Sequence, residues 1–280
     1  MFLKFPVRFF ALMSLPLLSY AQSGSEERIQ FLSEQLLLGS EVTISDAALA
    51  SAHIIPEFYS RREFGPAWND DDQVNEFINL IGHAQEEGLD PDDYLYNELT
   101  ALVEEFRENR DDADLRADLD LLLTESLSRY GNHLIYGKVD PADLDENWNW
   151  ERGSDGRDPA ALIQVAIDSD SIERFIDDFL DRGPIYMRAK AMLAQYRALK
   201  DAGGWPQIEP GATLKPGMDD ERIAVIRKRL AVTGDLPAEQ NNGSTVFDDE
   251  LRLGIVAFQD RHNLDRDGAI GSKTLAAMNV

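Results

Sequence analysis

Apolar positions recur at helical spacing along nearly the whole chain, and strand-like alternation is scarce. Val74, Phe77, Ile78, Ile81 and Ala84 lie at offsets 0, 3, 4, 7 and 10. They follow an acidic Asp70-Asp71-Asp72 start that suits a helix N-terminus, and Gly88 is placed to end that helix. Leu115, Leu119, Leu122, Leu123, Leu127, Tyr130 and Leu134 predict a long helix closed by Gly137. Ile172, Phe175, Ile176 and Phe179 form another amphipathic face. Asp181-Arg182-Gly183-Pro184 breaks it before a helix carrying Tyr186, Ala189, Leu193 and Tyr196. The expected fold class is all-α, beginning with a helical bundle.

Gly203, Gly204, Pro206, Pro210, Gly211, Pro216 and Gly217 then punctuate the chain, which marks a domain boundary. Beyond it, Ile223, Ile226 and Leu230 predict a short helix stopped near Gly234. Leu251, Ile255, Phe258 and His262 predict a second helix, and Ser272 to Met278 a third, with Ser272 placed to cap it. Three short helices bury one core only if their loops also pack, so the loop glycines are expected to be structural. The organisation read from the sequence is a leader at 1–21, a helical domain at 22–204, a Pro/Gly-rich linker at 205–217 and a three-helix module at 218–280.

The leader rests on Lys4 and Arg8, the short apolar run Phe9 to Leu18, and the small-x-small site Ser19-Tyr20-Ala21. It reads as a Sec signal peptide cut after Ala21, which places the mature chain in the periplasm. An uncleaved anchor is the competing reading, but spanning a bilayer takes about 18 or more apolar residues. No stable membrane span is expected after cleavage. The chain has no cysteine, so it can form no thiolate nucleophile, disulfide or cysteine-ligated zinc site. A net charge of −25, from 27 basic and 52 acidic side chains, argues against nucleic acid as a partner. The acidity reads as a solvated surface. The four histidines are dispersed, and a calcium loop opening at Asp265 would need an acid where Ala276 stands. No metal or cofactor is expected.

Residues 218–280 resemble the bacterial peptidoglycan-binding-like family. The resemblance rests on Ile226-x-x-Arg229-Leu230, Thr233-Gly234-Asp235, Phe258-Gln259 and Asp267-Gly268-x-Ile270-Gly271-x-x-Thr274-Leu275. Upstream, two blocks resemble the scaffold domain that precedes the catalytic domain in large Gram-negative murein L,D-transpeptidases. They are Phe58-Tyr59-x-x-Arg62-x-Phe64-x-Pro66-x-Trp68 and Ala84-x-x-x-Gly88-Leu89-Asp90-Pro91-x-x-Tyr94. Gly137-Lys138-Val139-Asp140-Pro141, followed by Trp148, is similar to the same family's segment after its long helix. The family's catalytic domain, as the resemblance implies it, uses a cysteine in a Ser-His-Gly-Cys setting for acyl transfer. This sequence has no cysteine and no Ser-His-Gly, so it reads as the non-catalytic scaffold and wall-binding portion.

The resemblance implies peptidoglycan binding in cell wall biogenesis. Gln259, Arg261, His262, Asp267 and Thr274 are the polar candidates for contacting the polymer, and Arg261 could pair with a stem-peptide carboxylate. Candidate partners are peptidoglycan and a catalytic L,D-transpeptidase domain or other envelope protein. Two alternatives stand beside this reading. The first is an adaptor for a separate envelope enzyme. The second is a lytic transglycosylase with Glu125 as general acid, against a plainer reading of Glu125 as a solvated helix residue. Trp148 and Trp150 could stack on sugar or pack, while Phe258 and Trp68 read as packing residues.

Overall fold

The computed structural model describes residues 15–139, 156–180 and 182–280. Most of the leader read at 1–21, and the Trp148/Trp150 pair, lie outside these residues. The chain divides into two compact units, Met1–Lys190 and Ala191–Val280. Both are mainly helical, as the apolar spacing predicts.

The first unit runs through α1 (Leu15–Leu37), a hairpin of β1 (Thr43–Ile44) and β2 (Ala47–Ala48), α2 (Ile54–Ser60), α3 (Asp71–Gly82), α4 (Tyr96–Glu108), α5 (Ala113–Tyr136), α6 (Pro159–Ile167) and α7 (Ile172–Phe179). The division between the units falls within α8 (Pro184–Asp201). The hairpin pairs Thr43 with Ala48 and Ile44 with Ala47 in antiparallel register. Its turn places Ser45 and Asp46 at positive φ, the backbone that a tight two-residue connection requires.

Helix α5 is the spine of this unit, with α1, α2, α4 and α6 packed around it. Its leucines 119, 121, 122, 123 and 127 are buried, each contributing about 1.5–3 kcal/mol by leaving water. Neighbours on several sides also bury its polar residues Asp120, Thr124, Glu125, Ser126 and Ser128. Gly137 ends the helix at φ 84°, as expected.

Several aspartates do more than solvate the surface. Asp70, Asp112, Asp158 and Asp248 accept backbone N–H groups at the starts of helices, satisfying donors that the helix itself leaves unpaired. The helix predicted to run on to Gly88 stops earlier. Helix α3 ends at Gly82, a 3-10 turn covers Ala84–Glu87, and Gly88 closes that turn at φ 81°. The ring of Tyr96 crosses so close to Gly82 that a Cβ there would meet it at 2.8 Å. Helix α8 has the predicted apolar spacing, yet none of its residues is buried.

The second unit contains α9 (Arg222–Val232), α10 (Asp249–Arg261) and α11 (Ser272–Met278). Its core joins Ile223, Ile226 and Leu230 to Leu251, Ile255, Phe258 and Met278. The stretch 205–217 read as a linker is packed: Ile208 and Leu214 are buried in this core, and Leu214 and Ile270 bond each other's backbones antiparallel. Proline and glycine mark the irregular path of this segment, but its two apolar side chains still need burial. Buried Arg227 ties the long loop down by donating to the Gln240 and Val246 carbonyls at 3.2 and 3.1 Å, and it pairs with Asp248. Ser272 does not cap α11. The N-cap is Gly271, in ordinary extended backbone, and Ser272 is the first helical residue.

Candidate functional site

The sequence motifs of the first unit converge on the polar side of α5. Buried Asp120 accepts from Ala67 N at 2.9 Å, Trp68 N at 3.0 Å and the Tyr59 hydroxyl at 2.6 Å. One turn on, the Thr124 hydroxyl meets Tyr59 Oη at 2.8 Å and Trp68 Nε1 at 3.0 Å. Tyr59 and Trp68, from the first scaffold block, thus clamp the loop after α2 onto the spine. Tyr94, from the second block, bonds His133 Nδ1 at 2.9 Å, and its carbonyl accepts from Ser126 Oγ at 2.6 Å. Burial pushes the Asp120 carboxyl above the usual carboxylate range, despite the donors around it.

Glu125 is neither a solvated helix residue nor a general acid in a cleft. Its side chain is fully buried, and its two oxygens accept from Ala50 N at 3.1 Å and Ser51 N at 3.0 Å. Arg129 Nε donates to the same carboxylate at 2.5 Å. A glycosidic oxygen has no route to it, and the carboxylate instead anchors the segment leading into α2.

The five polar candidates of the second unit divide into two groups. Gln259, Asp267 and Thr274 form an internal network. Gln259 Nε2 lies 2.9 Å from Asp267 Oδ1, 2.9 Å from the Ala269 carbonyl and 3.2 Å from Thr274 Oγ1, while its Oε1 accepts from Gly268 N at 3.0 Å. Only 1 % of Gln259 is exposed, so its amide is spent on the turn and is closed to a ligand. Asp267 also accepts from Ala269 N at 2.9 Å, the side-chain-to-backbone bond expected of it. Gly268 sits at φ 69°, where a Cβ would meet Arg252 Cγ at 2.9 Å, so this turn does require glycine.

Arg261 and His262 lie elsewhere, in a cleft of about 310 Å³ with Tyr196, Trp205, Arg229, Ala277 and Val280. The Arg229 guanidinium lies over the Trp205 ring, 4.0 Å from its centroid, and Tyr196 meets that indole edge-on at 6.3 Å. Arg229 Nε donates to the Met278 carbonyl at 2.7 Å and Nη1 to Thr233 Oγ1 at 3.1 Å. Arg261 forms a two-pronged pair with Asp235, at 3.0 and 2.6 Å, and donates to Tyr196 Oη at 3.0 Å. His262 stacks on Phe258 with centroids 4.1 Å apart, and its buried Nε2 has no hydrogen-bond partner.

The two arginines of the cleft differ electrostatically. Asp235 holds Arg261 above the ordinary arginine value. Burial, with the Arg261 charge as the next cause, pulls Arg229 below it. Burial and then Arg261 also lower His262, so the imidazole favours its neutral form. Sequence reasoning passed over Arg229, Trp205 and Tyr196. The available signal was Arg229 itself, a cation three residues after Ile226 on the apolar face of α9.

Among the described residues no helix is long and apolar enough to cross a membrane. The comparison with curated proteins gives no match. A family model described as a scaffold domain matches residues 53–193, just over half of the chain. A second model, described as a peptidoglycan binding domain, matches residues 219–278 and so includes Arg229, Arg261 and His262. The chain therefore belongs to the scaffold domain family, and it carries a peptidoglycan binding domain match over α9, α10 and α11 of its second unit.

Proposed function

We propose that the chain binds peptidoglycan in the cell envelope through its second unit, as the non-catalytic scaffold and wall-binding portion of an L,D-transpeptidase-like protein. The peptidoglycan binding domain match supports wall binding. The observation that carries the siting is the cleft that Arg229, Arg261 and His262 of that match form with Trp205 and Tyr196 from before it, where a buried guanidinium lies on an indole beside a second arginine and a histidine. The L,D-transpeptidase context, the Sec leader cut after Ala21 and the periplasmic location rest on the sequence motifs. A single small module of this kind binds weakly and works by raising the local concentration of whatever it is tethered to.

Co-sedimentation of the purified chain with isolated sacculi tests this reading. The protein is expected in the pellet, in amounts that saturate with sacculus concentration. If it stays in the supernatant while a wall-binding control sediments, the reading is wrong. The adaptor alternative draws on α8, which exposes Ile185, Met187 and Met192 in water. A protein that ignores sacculi yet co-elutes with a catalytic L,D-transpeptidase domain would favour that reading instead.

A further inference from the structure

Two guanidinium groups line the cleft, and the carboxylate that pairs with one of them, that of Asp235, is already committed. Both Asp235 oxygens accept from Arg261, and Oδ2 accepts from Thr233 Oγ1 at 2.6 Å as well. Arg229 is 2 % exposed and forms no ion pair with any described residue. Its Nε and Nη1 bond a carbonyl and a hydroxyl, and its Nη2 makes no hydrogen bond in the cleft wall. Burial disfavours the charged form of Arg229 and outweighs the help of Asp235, which does not bond to it, so an anion entering the cleft would stabilise a buried cation that has no direct ion pair.

The aromatic groups point the same way. One face of Trp205 is covered by Arg229 at 4.0 Å, and Tyr196 abuts the same ring, so the indole is poorly placed to take a sugar ring on that face. Stacking uses the flat face of a guanidinium and leaves its in-plane N–H groups for acceptors; in Arg229 those of Nε and Nη1 hold the Met278 carbonyl and Thr233 Oγ1, so Nη2 is the group left to meet an anionic oxygen. Arg261, the arginine singled out by sequence, already has its planar fork in use on Asp235.

We infer that Arg229, positioned by Trp205, is the anion-binding residue of the cleft and that it receives a free carboxylate of the peptide stem, not the glycan. This rests on the peptidoglycan-binding reading above and specifies the part of the polymer recognised. Arg261 and His262 then border the bound group, with Arg261 supplying field but not its fork.

The test varies the ligand first, because Arg229 also holds the Met278 carbonyl. The full chain is titrated calorimetrically with three probes: a soluble disaccharide-peptide muropeptide, the same muropeptide with its carboxyls amidated, and glycan strands stripped of peptide by an amidase. Sacculus co-sedimentation is run in parallel. Binding of the free-carboxyl muropeptide, at least about tenfold weaker after amidation and absent with stripped glycan, is the expected result. Arg229→Gln should reproduce the loss seen on amidation, and Arg229→Lys should restore part of it, with circular dichroism melts confirming the fold. Equal binding of free and amidated muropeptides, or retention of stripped glycan, would overturn the carboxylate assignment while leaving wall binding intact. Failure to sediment with sacculi at all would remove the underlying reading and this inference with it.

Discussion

Gln259 and Asp267 are joined across the turn between α10 and α11 by a hydrogen bond of 2.9 Å, and Asp267 in turn accepts from Ala269 N. This pair fixes the loop that carries Ile270 into the core of the second unit. Replacing Gln259 with leucine keeps most of its volume but strands the Gly268 N–H and removes the donor to the Ala269 carbonyl. The expected cost is about 2–4 kcal/mol, since each orphaned buried group costs roughly 1–3 kcal/mol. Urea unfolding would show it as a lower midpoint with an unchanged slope.

The same pair gives an acid dependence with a definite sign. The Ala269 N–H, followed by the Gln259 amide, lowers the Asp267 carboxyl below its ordinary value. Its contribution to stability is therefore complete above the unfolded value of about 3.9 and is lost as pH falls from there through the folded value. Asp267→Asn should flatten that part of the stability profile. A profile unchanged in the variant would show that the bond does not discriminate between the ionised and neutral forms.

His262 titrates higher on the pH scale. Burial and then the Arg261 charge lower its pKa, with Arg229 acting in the same direction and Asp235 against it. A lowered histidine favours the folded state fully above its unfolded value of about 6.5, and this contribution is lost as pH falls below it. His262→Phe keeps a ring on Phe258 and should reduce the dependence of unfolding free energy on pH between about 5 and 7. Identical slopes for the two proteins would contradict the burial argument.

In the first unit, Asp120 and Glu125 act as buried pins. Asp120→Asn places an amide donor against the Ala67 and Trp68 N–H groups, and Glu125→Ala strands the N–H groups of Ala50 and Ser51. Each change should destabilise the unit by about 2–4 kcal/mol in thermal or urea melts. Incubating the protein with sacculi should release no muropeptides, with or without Glu125→Gln. Release that this substitution abolishes would restore the glycan-cleaving alternative.

Much of the fold was legible because helix ends are written in local chemistry. Asp70, Gly137, Gly234 and the Asp267-Gly268 turn each do what their residue type predicts at that position. The α5 interior was not legible in the same way. Leucine spacing marks one stripe, whereas the burial of Asp120, Thr124 and Glu125 depends on which loops reach the other faces of the helix. The converse holds for α8, whose apolar spacing is regular although none of its residues is buried. Within the site, Arg261 and His262 were found because they directly follow Phe258-Gln259 of the family signature on the same helix. Gln259 shares that signature but serves the turn. Arg229 stands in that signature too, but its role stayed hidden because it comes from Trp205, which lies before the signature begins, in a segment that looked like a linker.

The most direct measurement of the central claim is quantitative co-sedimentation with sacculi, comparing the unaltered chain with Trp205→Leu, Arg229→Gln and Arg110→Ala. Arg110 forms an exposed ion pair with Asp71 in the first unit and serves as the control. Binding should weaken at least about tenfold for the two cleft variants, with folded melts retained, while Arg110→Ala should bind like the unaltered chain. Cleft variants that remain folded and sediment as well as the unaltered chain would contradict wall binding through this cleft.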